Sequence, residues 1–394
     1  MWPVPGIPLS TSLLLCLPAV VYGAECINYP AREGITIDGP VEMIDHPFRN
    51  FDGTMIPVYN QTAVEGWSYD AVSVDGAGLA FYYTRGTIAN VRGAQRVFFA
   101  AAWPNGTSYM ESAWFQESNI EMCPDKTTGR WFNSTSASNT TSAIAEWKFE
   151  SDIDFKDTFV TVNSPTVKGT IHMKSLVPAL YADGLEYPNP DGKTLFAPML
   201  HWVENVPVGT IEANLTVNGT PFIFSGIGGR ERNWLSLPWS SLSRRWDMIR
   251  GAAGPYRFLG WTHDSKIGGT QFTMVLFKNE KVIFRTQNLK PSELGNDTWG
   301  SVTLTNTGPV HLASPPDAAV KLPESRFSGY LIDMVSPATG EHWQFDIEFT
   351  QSVYWFPVGP AAQTGGYAAN VTGGLVGGCQ YKGLSSGNTQ ELKL

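Results

Sequence analysis

The chain is short of charge. Only 16% of its 394 residues are Asp, Glu, Lys or Arg, and 36 acidic side chains against 27 basic ones leave a formal net charge of -9. Without basic clusters there is no footprint for a phosphate backbone, so a nucleic-acid partner is excluded. Histidine is scarce too. His46, His172, His201, His263, His311 and His342 stand far apart, with no metal-ligand spacing, so no metal site is expected. There is no phosphate-cradling loop and no dinucleotide fingerprint. Gly383 to Gly387 spells G-x-S-x-G, but too near the C-terminus for the acid and histidine of a hydrolase triad to follow it. Glu65 and Asp70 have opposite parity on one strand, so their side chains diverge and do not form a glycosidase pair. Helical periods are almost absent, and no apolar run is long enough for a membrane span.

What is present points to a β-rich protein of the secretory pathway. Leu9 to Val21 is an apolar run followed by small residues, which reads as a signal peptide over 1–23, cleaved after Gly23. Glycosylation sequons occur at Asn60, Asn105, Asn133, Asn139, Asn214, Asn218, Asn296 and Asn370. Loss of the signal removes Cys16 and leaves Cys26, Cys123 and Cys379, enough for one disulfide and one spare thiol, with three pairings open. The 39 glycines and 27 prolines punctuate short apolar runs, as in a protein of many strands and turns. Glu65, Trp67 and Tyr69 share one face by period-two alternation, and Trp343, Phe345, Ile347 and Phe349 share another. Two antiparallel domains are expected, over 24–225 and 226–394. Between them Gly226 to Tyr256 reads as a loop holding Trp234, Trp239, Trp246 and five arginines, and a seam of this kind is a usual place for a ligand.

The segment Thr62 to Ser73 resembles the E-x-W-x-F/Y-D motif of lipocalin-like, carotenoid-hydratase-related proteins. Gly228-Gly-Arg-Glu-Arg-Asn-Trp234, then Arg250 and Gly254-Pro-Tyr256, resemble the central segment of the fungal Diels–Alderases of that superfamily. His342 to Phe345, Tyr354-Trp355 and Thr372 to Gly377 resemble its C-terminal strands. The resemblance implies an N-terminal β-sandwich, a C-terminal lipocalin-like β-barrel, an interdomain pocket and no cofactor. Carried over by position, Glu65, Trp67, Tyr82, Trp234 and Trp343 are expected to line the pocket, with Tyr69, His201, Trp246, Phe345 and Trp355 as further substrate contacts. Arg250, Tyr82 or the Trp343 indole N–H would supply a hydrogen bond to a carbonyl. The implied activity is a [4+2] cycloaddition on hydrophobic small molecules: a polyene, a terpene or a quinone methide. The signal and sequons point to the hetero-Diels–Alderases that join an ortho-quinone methide to a humulene-type olefin. The alternatives are an intramolecular, decalin-forming reaction of a polyene tetramic acid, and a non-catalytic carrier of hydrophobic metabolites. A hydratase or isomerase with Glu65 or Asp70 as proton donor ranks behind these.

Overall fold

Period-two alternation governs most of the chain, and the burial of each strand follows it. In Glu341–Gly359, Trp343, Phe345, Ile347 and Phe349 are buried while Asp346 and Glu348 face water. The computed structural model describes residues 25–32, 36–86, 95–133, 145–289, 297–305, 328–359 and 362–392. The segment expected to be a signal peptide, His311 and the sequons at Asn139 and Asn296 lie outside these.

The described residues form two antiparallel sheets. The first has fourteen strands. At its centre the long strands Leu200–Val217 and Thr220–Leu235 form a hairpin, closed by Asn218 and Gly219 with φ of 47° and 79°, the positive values an Asn-Gly turn supplies. Val64–Ser73, Gly78–Gly86, Gln95–Ala102 and Ser108–Phe115 continue the sheet on one side of this hairpin. Strands from Val167–Ser175 back to Ile27–Arg32 continue it on the other. The sheet folds over, sandwich fashion, on an aromatic core in which Trp67 meets Trp131 edge-on at 5.3 Å and Tyr69 stacks on Phe81 at 4.2 Å. The second sheet has nine strands, from Ser243–Ala253 to Tyr381–Leu392. Its ends nearly close a barrel: the Gly300 N–H donates to the Asn288 carbonyl at 3.0 Å, and Thr286 Oγ1 to the Thr298 carbonyl at 2.9 Å. The barrel is packed with Phe258, Tyr330, Trp343, Phe345 and Phe349.

The expected loop after residue 225 is instead the second half of the strand Thr220–Leu235, and the chain passes between sheets at Ser236–Leu242. Its glycines give close approach rather than freedom: a Cβ on Gly228 would collide with the Asp70 carbonyl of the paired strand. The arginines are structural too. Arg230 bonds Asp52 at 2.6 Å, Arg232 pairs with Glu65, and all four side chains are fully buried. Glu65 also accepts from Ile56 N (2.7 Å), Met55 N (3.2 Å) and Tyr59 Oη (2.7 Å), which pins the irregular segment before the first long strand.

Cys26 is joined to Cys123, tying the edge strand Ile27–Arg32 to its neighbour Glu117–Met122 and leaving Cys379 free and exposed. Among the sequons, Asn105, Asn214, Asn218 and Asn370 are exposed and Asn133 is half-buried. Asn60 is engaged in its own loop, where its Oδ1 accepts from Thr62 N and Ala63 N and its Nδ2 donates to the Gly39 carbonyl.

Glu65→Ala would leave Arg232 buried without its counter-charge. The expected loss is about 3–5 kcal/mol of folding free energy, read as a lowered urea midpoint. An unchanged midpoint would show that the pair is not structural.

Candidate functional site

The strand register builds a cavity of about 490 Å³ between the two sheets. On the N-terminal side two rows of residues cross four strands. Glu231 stands opposite Ser68, Ser68 opposite Tyr82, and Tyr82 opposite Phe98. One pleat along, Asn233 stands opposite Gly66, Gly66 opposite Thr84, and Thr84 opposite Arg96. All but Gly66 line the cavity. Gly66 is the gap that lets Tyr82 lie across the wall, since a Cβ there would collide with the tyrosine hydroxyl. Tyr82 Oη donates to Asn233 Oδ1 at 3.0 Å.

The barrel supplies the facing wall by the same device. Trp261 pairs with Met248, Met248 with Asn388, Asn388 with Gly366, and Gly366 with Tyr354. A Cβ on Gly366 would strike the Tyr354 ring, so this glycine too makes room for a tyrosine lying flat. Tyr354 reaches Phe98 of the other wall, edge-on at 5.3 Å. Trp246, Gln390 and Thr364 form the next row. The connecting turn closes one side with Trp239, whose ring centroid lies 6.2 Å from that of Trp246.

Among the described residues the indole N–H groups of Trp246 and Trp261, Oδ1 of Asn388 and Oγ1 of Thr84 have no hydrogen-bond partner. Such groups at a cavity wall are satisfied by what the cavity takes in. Burial is the main cause holding the Tyr82 phenol up at about 12 and Tyr354 higher still, so both stay protonated donors. Glu231 is raised to about 7. Burial is again the leading cause, with Asp70 adding to it, against Arg250 and hydrogen bonds from Trp202 and Ser68. Its Oε2 accepts from Trp202 Nε1 at 2.8 Å.

Of the residues expected from the sequence, Tyr82 and Trp246 stand on the cavity wall. The others are drawn elsewhere. Trp67 and Tyr69 point into the N-terminal core, and Glu65 holds Arg232. The parity read from the sequence is right, but the opposite face, Val64 and Ser68, looks into the cavity. Trp234 is fully buried under His201, stacked at 5.1 Å. His201 bonds Thr194 Oγ1 at 2.9 Å, and burial lowers it to about 4, so it is a neutral structural histidine. Trp343 and Phe345 fill the barrel. Trp355 is buried beside the wall, and its neighbour Tyr354 takes the cavity position. Arg250 lies behind the wall, 2.7 Å from Glu204 Oε2 and 3.1 Å from Asp70 Oδ2, and also donates to the Pro207 carbonyl. Burial opposes its charge, but Asp70, Glu204 and Glu231 outweigh that and raise its pKa, so it is no free donor for a ligand. Glu231, Asn233, Arg96, Trp261, Tyr354 and Asn388 were missed. The available signal was the mixed polar face opposite the aromatic one: packed cores take the aromatics, and the face with Ser68 and Asp70 had to look elsewhere.

The comparisons with known proteins agree with this architecture. The chain is 30% identical over 335 residues to the Diels-Alderase poxQ of Penicillium oxalicum, covering 84% of this chain and 70% of that protein. It is 31% identical over 342 residues to the Diels-Alderase phmD of Phaeosphaeria nodorum, covering 85% and 90%. The fold matches the crystal structure of CghA with Sch210972 at a TM-score of 0.77 and 20% identity, over 93% of this chain and 99% of that one. A sequence model described as Diels-Alderase-like matches residues 33–393. The chain belongs to the Diels-Alderase-like family of enzymes.

Proposed function

We propose that the interdomain cavity catalyses a stereoselective [4+2] cycloaddition in fungal secondary metabolism, unaided by a cofactor. The observation that carries this reading is the pair of facing walls, each with a tyrosine laid flat over a glycine and the barrel wall with unpartnered indole N–H groups. In a cycloaddition two σ bonds form at the expense of two π bonds and no atom leaves, so nothing has to be attacked or expelled. The protein's task is to hold two π-systems at near-attack distance in one pose, a contribution worth up to ~7–11 kcal/mol in the best cases. Phe98, Trp239, Trp246, Trp261 and Tyr354 offer apolar faces to an olefin. The Trp246 or Trp261 N–H would take a carbonyl oxygen on which negative charge develops.

For the substrates, our reading is an ortho-quinone methide, derived from a tropolone or phenol, with a humulene-type olefin. The Cys26–Cys123 bond and the exposed sequons support an oxidising, secretory setting for it. An intramolecular, decalin-forming reaction of a polyene tetramic acid would use the same walls, and a carrier would need them without the donors.

Chiral analysis of products separates the three. Incubation with in-situ generated quinone methide and humulene is expected to give enantioenriched adduct, while the linear polyene tetramic acid gives background product. Enrichment only with the polyene would replace the substrate assignment. Racemic background in both, with ligand bound, would leave a carrier.

Trp246→Phe keeps the ring and removes the N–H. A rate loss on the order of a hundredfold is expected from losing one preorganised donor, with the urea midpoint little changed. Gly66→Ala is expected to push Tyr82 into the cavity and to lower enantiomeric excess more than total binding.

Glu231 makes stability depend on pH with a definite sign. Its carboxyl holds a proton in the folded chain up to about pH 7 but in the unfolded chain only to about 4.5. The unfolded state therefore binds fewer protons in that window, and stability falls as pH rises through it, then levels off. Between pH 5 and pH 8 the native protein should lose up to about 3 kcal/mol relative to Glu231→Gln. Parallel urea midpoints for the two proteins would contradict this.

A further inference from the structure

Among the described residues two charged side chains line the cavity, Glu231 and Arg96. They stand at opposite ends of the N-terminal wall, three strand spacings apart across the sheet, or about 14 Å, and one pleat apart along it. Arg96 differs from the other arginines packed into this region. Arg230, Arg232 and Arg250 each carry a carboxylate partner, and Arg85 donates to Ser118 Oγ, Thr54 Oγ1 and the Tyr29 carbonyl. Arg96 has no carboxylate partner among the described residues, and its Nε has no hydrogen-bond acceptor. Its guanidinium lies 5.6 Å from the centre of the Trp114 ring, a contact that holds the plane but fills no N–H. Directly opposite on the neighbouring strand, buried Thr84 also leaves its hydroxyl without a partner, and it too lines the cavity. In a chain of net charge -9, a half-buried cation on the cavity wall beside a buried hydroxyl without a partner is a pairing suited to an anion.

We propose that the cavity takes a substrate bearing an anionic pair of oxygens, an ionised enol or a carboxylate, with Arg96 as its counter-ion and the Thr84 hydroxyl as a second donor. A planar guanidinium suits such a pair, since it can offer two parallel N–H bonds. Burial lowers the Arg96 pKa, but an arginine remains charged throughout. The anion is thereby anchored at the Arg96 end, with the aromatic walls left to the olefin. This rests on the cavity being the substrate site, as in the cycloaddition reading, but it concerns recognition and is tested by binding.

Full-length protein is titrated with tropolone, with its O-methyl ether and with benzoate, followed by tryptophan fluorescence at pH 8. The native protein is expected to bind tropolonate at least about tenfold more tightly than the ether. Arg96→Gln should reduce that preference to within about twofold, and Arg96→Lys should keep part of it. Benzoate binding as tightly as tropolonate would place the carboxylate within the accepted class, and weaker benzoate binding would restrict the class to ionised enols. If Arg96→Gln does not fold, the native protein still decides. At pH 5, where tropolone is neutral, its preference over the ether must vanish. Equal binding of anion and ether at pH 8, or a preference that survives Arg96→Gln, overturns the proposal. A lost preference with enantioenriched adduct still formed would refute the anion site alone, whereas a retained preference with only racemic product would refute the cycloaddition reading alone.

Discussion

The pairing of Val64–Ser73 with Thr220–Leu235 is the constraint on which the rest depends. Because side chains alternate, this one register decides that Glu65, Trp67 and Tyr69 serve the N-terminal core while Ser68, Glu231 and Asn233 face the barrel. A slip of one residue would exchange the two sets, putting tryptophan into the cavity and carboxylate into the core. The register is held by more than backbone bonds. Arg232 spans the paired strands to Glu65, Arg230 reaches Asp52 and donates to Tyr69 Oη, and the glycines at 226 and 228 let the strands approach where any side chain would collide.

These buried ion pairs are better understood as locks than as sources of stability. Each removes two charges from water, and the attraction between them roughly offsets that loss. What they supply is an asymmetry between right and wrong pairings, since any other register strands a guanidinium in the interior. Arg250 does the same across the seam. It comes from the barrel and meets Asp70 and Glu204 of the other sheet, so the two walls of the cavity are held at a defined separation. Ser386 adds a bond from the barrel to Asp70. The carboxylates gathered there outnumber the cation. Burial, with that crowding added to it, keeps Glu204 well above the usual carboxylate range and gives the cavity, in Glu231, a carboxyl that titrates near neutrality.

The cavity itself comes from subtraction. Gly66 and Gly366 sit in the middle of otherwise well-filled rows, and on each wall a tyrosine from the neighbouring strand lies across the space. Rings placed flat in this way present faces to a ligand, and because the hydroxyl of Tyr82 is fixed on Asn233 the surface is stiff. A site that must discriminate between faces of an olefin needs that stiffness more than it needs reactive groups.

Much of the architecture was legible in residue order: alternation marked most of the strands, and the resemblance to Diels–Alderases identified the family. The aromatic positions were legible as a set but not in their use. Trp67, Trp234, Trp343 and Phe345 resemble binding residues because large apolar groups suit cores and ligand sites equally, and only packing against Trp131, His201, Phe284 and Phe258 assigns them to the interior. Arg250 had the chemistry of a donor until its three-dimensional partners were counted. The sequence by itself determined most of the strands, their parity and the family. Which face of each strand meets the other domain was decided only by the tertiary structure, because alternation separates two faces without naming them, and the choice depends on partners distant along the chain.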